Sequence, residues 1–288
     1  MEYLIHLIIL IGIYGILGLS LNLIVGYTGL LSVTQAAFYG IGAYATAILM
    51  TSLGLNFFLA LIIGIAITIV CSFLIGLVLS KFRGDYYALG SFGFNIIIYS
   101  IFLNWQDLTR GPLGIPGIKR PEIFGLNLTS NLSFLILVLV FLLGVYLLSR
   151  FIINSSFGRA LKAIREDEEA LQVFGYRTLY YKLAIFVIGA AFAAVAGSLF
   201  ASYITFIDPS TFTLMESIFI LALIILGGLA NLKGSIIGAI FMILLPEILR
   251  FVGFPQEVAA QMRQVVYGLI LIVLMLYRPQ GLVGEYKL

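Results

Sequence analysis

Seven neutral polar side chains interrupt stretches otherwise built for hydrocarbon: Asn22, Thr28, Ser32, Thr34, Gln35, Ser91 and Asn95. They carry hydrogen-bonding groups without charge, so together they could wet a passage for a polar solute. The other use of such residues is interhelical hydrogen bonding, worth about 0.6–2 kcal/mol apiece. For any single residue the two uses are equally open. The crowding of glycines and polar residues between Gly26 and Gly42 favours the passage, and the candidate path is Gly26, Thr28, Gly29, Ser32, Thr34, Gln35, Ser91 and Asn95.

Other chemistry is sparse. Carboxylates at depth would be candidates for an ion or proton relay. Glu216 and Glu247 are the ones to consider; both fall near a segment end or a proline, so a boundary position is the simpler reading. His6 is the single histidine and Cys71 the single cysteine, so no metal site, His-based triad, internal disulfide, cofactor or catalytic residue is expected. There is no Gly-x-x-x-x-Gly-Lys-Ser/Thr; Lys233 precedes a glycine in the wrong order for a P-loop. If ATP is used, another chain holds it.

The elements that must position these residues are membrane helices. The chain has 288 residues, 62% hydrophobic and 10% charged, against about 45–50% and about 25% in soluble domains. This is an all-α polytopic membrane protein, read as one transmembrane domain over 1–288. The net charge of +3 carries no nucleic-acid signal. A span needs about 20 apolar residues. Leu4–Val25, Phe57–Ser80, Tyr87–Leu103, Phe134–Phe151, Leu183–Ile204, Phe212–Leu229, Ser235–Val252 and Gln264–Tyr277 qualify or come close. The first is too long for a signal-peptide core and lacks a basic leader, so it reads as a retained span. Leu30–Met50 is polar and glycine-rich, as expected of a broken or re-entrant segment covered by protein. The total is eight or nine crossings. Gly189, Ala190, Ala193, Ala194 and Gly197 form a small-residue stripe suited to close packing. A faint internal echo pairs Val25-Gly26 with Leu226-Gly227-Gly228, each a glycine-rich break followed by a span.

The long stretch that cannot lie in lipid is Ser155–Lys182, with Arg159, Lys162, Arg165, Glu166, Asp167, Glu168, Glu169, Arg177 and Lys182. Phe157, Leu161, Ile164, Leu171 and Phe174 recur at helical spacing, interrupted at Glu168. Two short helices are expected. Arg159, Lys162 and Arg165 suit the C-terminal end of the first; Asp167 caps the second, Glu168 and Glu169 occupy its first turn, and Gly175 stands at its C′ position. The plain alternative is a solvated loop.

Glu169-Ala170-Leu171 with Gly175 resembles the EAA-x-x-x-G loop of prokaryotic ATP-binding-cassette importer permeases. Gly26–Tyr44, Leu226–Ala239 with Leu245–Arg250, Arg278–Gly284 and Ser156–Asp167 narrow the resemblance to the M-type branched-chain amino-acid permeases, although that family often has His where Gln35 stands. The resemblance implies a heteromeric importer in a prokaryotic cell membrane. Its other members would be two ATPase subunits, a paralogous permease and an extracytoplasmic binding protein, with membrane lipid around it. It also implies that Arg159, Lys162, Arg165, Glu169, Ala170, Leu171, Phe174 and Gly175 grip the ATPase. A passive channel or ion-coupled carrier, and a membrane-embedded enzyme, are the competing classes; uptake without any ATPase would mark the first, and the second would need a polar catalytic pair at depth.

Lys and Arg set orientation. With Ser155–Lys182 in the cytoplasm, the loops bearing Lys81 and Arg83, Lys233, and Arg278 and Lys287 fall inside, and the Pro/Gly loop 104–133 falls outside. The N-terminus is outside if every segment crosses and inside if 30–50 re-enters. In a Cys71→Ser background, a cysteine at Asn127 should react with an impermeant thiol reagent from outside and one at Gln172 should not; the reverse pattern would invert the topology.

Overall fold

The computed structural model describes residues 2–82, 84–123, 126–127 and 130–251, with positions 265, 268, 269, 272 and 280–283. The expected last span, Gln264–Tyr277, and the Gly253–Arg263 loop lie outside those residues, apart from these isolated positions. Helix α1 (Glu2–Leu21) passes into a π-helical turn, Asn22–Gly26. The backbone is non-helical over 29–34, and α2 (Gln35–Ser52) follows. Then come α3 (Phe57–Leu79), α4 (Asp85–Asn104) and the short α5 (Gln106–Thr109). The Pro/Gly loop holds β1 (Ile115–Pro116) and a hairpin of β2 (Glu122–Ile123) with β3 (Leu126–Asn127). Helix α6 (Asn131–Asn154) leads into α7 (Ser156–Glu166) and α8 (Glu168–Val173), and α9 (Thr178–Ile204) returns. After β4 (Phe206–Ile207) come α10 (Leu214–Gly227) and α11 (Leu232–Phe251).

Among the described residues, five helices are long and apolar enough to cross a membrane: Glu2–Gly26, α3, α4, α6 and α9; α10 with α11 makes a sixth if taken as one span bent by 118°. The sequence pattern gives eight or nine crossings, one of them, Gln264–Tyr277, outside the described residues, and it treats α10 and α11 as separate spans. The segment Leu30–Met50, expected to be broken or re-entrant, is helical only from Gln35. Asn56 and Ser130 cap α3 and α6, each accepting from a backbone N–H two residues on at 3.3 Å.

The bundle has two distinct ends. At one, His6 Nδ1 lies 2.6 Å from the Tyr203 hydroxyl, and β1 pairs with β4. At the other, α7 meets the end of the π turn, and Leu282 and Val283 donate backbone hydrogen bonds to Leu226 and Gly227 at 2.9 and 3.1 Å. The N-terminus therefore lies at the end opposite α7 and α8, the question left open by the basic-residue pattern. Helix α2 runs parallel to α9: Gly42 faces Ala194, the Thr46 hydroxyl meets Ser198 at 2.7 Å, and Ser202 meets Met50. The small-residue stripe of α9 makes this approach possible. A Cβ on Gly197 would stand 2.8 Å from the Ala43 backbone nitrogen and 3.1 Å from the Tyr39 carbonyl carbon. Gly197→Ala should therefore cost about 1–3 kcal/mol through overpacking, read as a lower unfolding temperature in detergent. Gly144→Ala, whose new Cβ would have nothing within 4 Å, should be neutral or slightly stabilising.

Candidate functional site

The charged stretch folds as its residues direct. Ser155 caps α7, its Oγ accepting from Gly158 N at 3.3 Å. Gly158, Ala160, Leu161 and Ile164 are buried against the bundle. Asp167 Oδ1 accepts from Ala170 N at 2.9 Å, opening α8. At the other end Gly175 N donates to Gln172 O at 2.9 Å and Tyr176 N to Leu171 O at 3.2 Å. This is a Schellman closure around Gly175, at φ +84°. Lys182 pairs with Glu168, whose other oxygen accepts from Thr178 Oγ1 at 2.9 Å. So α8 is pinned to the start of α9.

Within this bracket the basic residues divide. Arg159 lies in the first turn of α7 rather than the last; it is exposed, and Nη2 donates to Ser156 Oγ at 2.9 Å. Lys162 stands 5.8 Å from the Tyr27 ring centroid. Arg165, in the last turn, faces inward and donates to the Gly26 carbonyl. Glu169 and Ala170 are exposed and Leu171 is half-buried. Val173 and Phe174 are 86% and 80% exposed. Beside them Phe174, Gly175, Tyr176, Arg177, Tyr180 and Tyr181 line a groove of about 500 Å³.

The candidate path residues come together as a buried seam. Ser20 Oγ donates to Gly189 O at 2.6 Å and accepts from Gln35 Nε2. Val33 N donates to Ser91 Oγ at 3.1 Å; Asn95 Nδ2 donates to Val33 O at 2.7 Å and to Ser217 Oγ at 2.6 Å. Ala36 N also donates to Ser217 Oγ, at 2.9 Å. Ser32 and Thr34 bond each other at 2.9 Å, and Thr28 bonds back to Ile24 O. Gly26 and Thr28 are buried, whereas Gly29 is exposed at φ +72°. Gln35 Oε1 and Asn95 Oδ1 are buried and accept no hydrogen bond among the described residues. Glu216 lies in the first turn of α10, where Oε1 accepts from the Tyr14 hydroxyl at 2.6 Å.

Residues 3–275 match the family described as branched-chain amino acid transport system / permease component. The chain belongs to that family. It is 35% identical over 294 residues to the high-affinity branched-chain amino acid transport system permease protein LivM of Escherichia coli, covering 94% of this chain and 67% of the relative. The Salmonella typhimurium LivM is 33% identical with the same coverage. The Escherichia coli LivH permease protein is 28% identical over 65% of this chain and 61% of its own. No solved structure matches the chain. As a transport-system permease with several membrane-spanning helices, the chain is a multi-pass protein of the prokaryotic cell membrane.

In this family member the seam depends on two residues that sequence reading passed over. Ser20 and Ser217 look like incidental serines in Leu/Ile runs, and only the fold brings them opposite Gln35 and Asn95. Val173 was likewise missed beside Phe174; a lone valine at a helix end carries no signal. Ser217→Ala would leave two buried donors, Ala36 N and Asn95 Nδ2, short of an acceptor. It should lower stability by about 1–3 kcal/mol, seen as a reduced unfolding temperature, whereas Ser210→Ala on the exposed turn before α10 should change nothing.

Proposed function

We propose that this chain is the membrane-spanning permease subunit of an ATP-binding-cassette importer that passes branched-chain or similar small amino acids into the cytoplasm. Alternating access would be driven by two separate ATPase subunits, with a paralogous permease and an extracytoplasmic binding protein completing the assembly. The curated relatives include both LivM and LivH permease proteins of one kind of transport system, which supports the paralogous pairing. The branched-chain amino acids in those relatives' names support the solute class. A solute delivered by a binding protein needs no strong charged ligand within the permease, in keeping with a seam built from serines and amides.

The observation that carries this reading is the apolar tip of the bracket. Val173 and Phe174 project from a capped helix beside an aromatic groove, within the charged stretch of the chain. An exposed apolar patch of this kind supports a protein contact. Phe174 fits the role of anchor, and Glu169, Ala170 and Gly175 set its angle. Arg159 remains available for acidic partners.

Replacing Gly175 by valine forces a branched side chain into a left-handed conformation, at a cost of about 1–2 kcal/mol. In Gly175→Val, insertion into the membrane should survive while co-purification of the ATPase subunits falls roughly tenfold and uptake falls with it. The chain alone should neither bind nor hydrolyse ATP. Wild-type uptake and co-purification in Gly175→Val would make the bracket a solvated loop, and uptake by the chain alone would make the protein a channel or carrier.

A further inference from the structure

Two places in the bundle depart from regular helix at the same level: the π turn with the non-helical segment 29–34 after α1, and the break between α10 and α11. One side chain joins them. Asn22, fully buried at the start of the π turn, donates through Nδ2 to Asn231 O at 3.0 Å and to Ser235 Oγ at 2.7 Å, and Oδ1 accepts from Ala230 N at 2.9 Å. Ala230 is held at φ +57°, a left-handed conformation that alanine seldom adopts. Its N–H would otherwise lack a partner inside the bundle. From its place in the π turn, the amide of Asn22 thus takes up backbone groups that the break between α10 and α11 has given up, in surroundings where water cannot.

The same junction is tied to the bracket. Gly26 closes the π turn with the Ala230 nitrogen 2.6 Å from the position a Cβ would take, so the two breaks are in van der Waals contact. Its carbonyl accepts from Arg165. Gly29, just beyond, has Arg165 Cγ 3.2 Å from its own Cβ position. Lys162, one turn earlier in α7, lies over Tyr27. Arg165 is the guanidinium that reaches the break, and it does so from the helix that leads directly into α8.

We propose that Arg165 and Asn22 are positioning residues for transport: Arg165 carries displacement of the bracket to the break after α1, and Asn22 makes the break between α10 and α11 move with it. This extends the importer reading, because it assigns the inward face of the bracket a task separate from docking at its tip. The two breaks then move as one unit, joined by a contiguous physical link.

The test reads the second break while altering the first. In a Cys71→Ser background, Leu229→Cys places a reporter thiol at a buried position beside Ala230. In wild type its reaction with a small maleimide should be slow. Arg165→Ala should speed it on the order of tenfold, although Arg165 bonds to the first break. Arg165→Lys, which keeps a cationic donor, should restore slow reaction. Asn22→Ala should also speed the reaction, and adding Arg165→Ala to it should produce no further increase, since both act through one junction. Asn22→Asp, which keeps the acceptor for Ala230, serves if the alanine variant fails to insert.

Arg165, expected from the sequence among the ATPase-gripping residues, faces the bundle instead. In the assembled transporter, Arg165→Ala should therefore lower solute moved per ATP hydrolysed several-fold among complexes that retain their ATPase subunits. Unchanged reactivity at Leu229→Cys in Arg165→Ala, or independent multiplying effects of the two substitutions, would overturn the proposal. So would loss of ATPase binding in Arg165→Ala, which would make Arg165 a docking residue. The thiol measurement needs no partner subunit, so its result stands whether or not the importer reading survives the Gly175→Val experiment.

Discussion

The governing constraint is that backbone hydrogen-bonding groups released from a helix inside a membrane must be satisfied by the protein itself. Among the described residues, the bundle releases them over 29–34 and over 228–231, and both times neutral side chains take up groups set free. Val33 is held through both its N–H, by Ser91, and its carbonyl, by Asn95. Ala36 N, unpaired at the start of α2, goes to Ser217. Ala230 N goes to Asn22. The polar residues that mark these segments in the sequence are thus structural requirements of broken helices first, and whatever contact they make with a solute comes on top of that role.

That constraint explains why the neighbouring helices are what they are. A segment that starts at Gln35 inside the bundle, rather than at its surface, needs close lateral support. Helix α9 provides it with a surface of glycine and alanine. Gly42 against Ala194 and Gly197 against Tyr39 bring two backbones together in parallel, closer than any larger side chain would allow. The aromatic cluster of Tyr39, Tyr44, Phe102 and Phe212 then closes the end away from the bracket. The small stripe and the aromatic cap are two solutions to one problem, the burial of a helix that starts inside the bundle.

The bracket has the opposite character. Its local structure owes little to the bundle: a serine cap, an aspartate cap and a glycine closure are all drawn from within 28 residues, and each is placed by short-range geometry. The tertiary structure adds the direction in which each face points. Leu161 and Ile164 anchor it, Glu168 with Lys182 fixes its angle to α9, and Val173 and Phe174 are left outside. A compact helical pair with a buried base and an exposed apolar tip is mechanically suited to pass force between a partner and the membrane bundle.

What the sequence determined by itself follows from short-range physics. Composition established a multi-pass helical protein, and helix caps at Asp167 and Gly175 were legible because capping depends on a few neighbouring residues. The spacing of Gly189, Ala193, Ala194 and Gly197 announced close packing, and the crowding from Gly26 to Gly42 announced an irregular segment. Which partners those residues take was decided only in three dimensions. Arg165 has the same charge as Arg159 and lies on the same helix, yet one reaches the Gly26 carbonyl and the other is exposed. Ser20 and Ser217 acquire their roles from residues 15 and 181 positions away in the chain. The direction of the first helix, undecidable from the basic residues, was set by His6 lying against Tyr203. Long-range hydrogen bonds have no periodic trace in a sequence, because a serine or asparagine in an apolar run reads the same whichever helix it will meet.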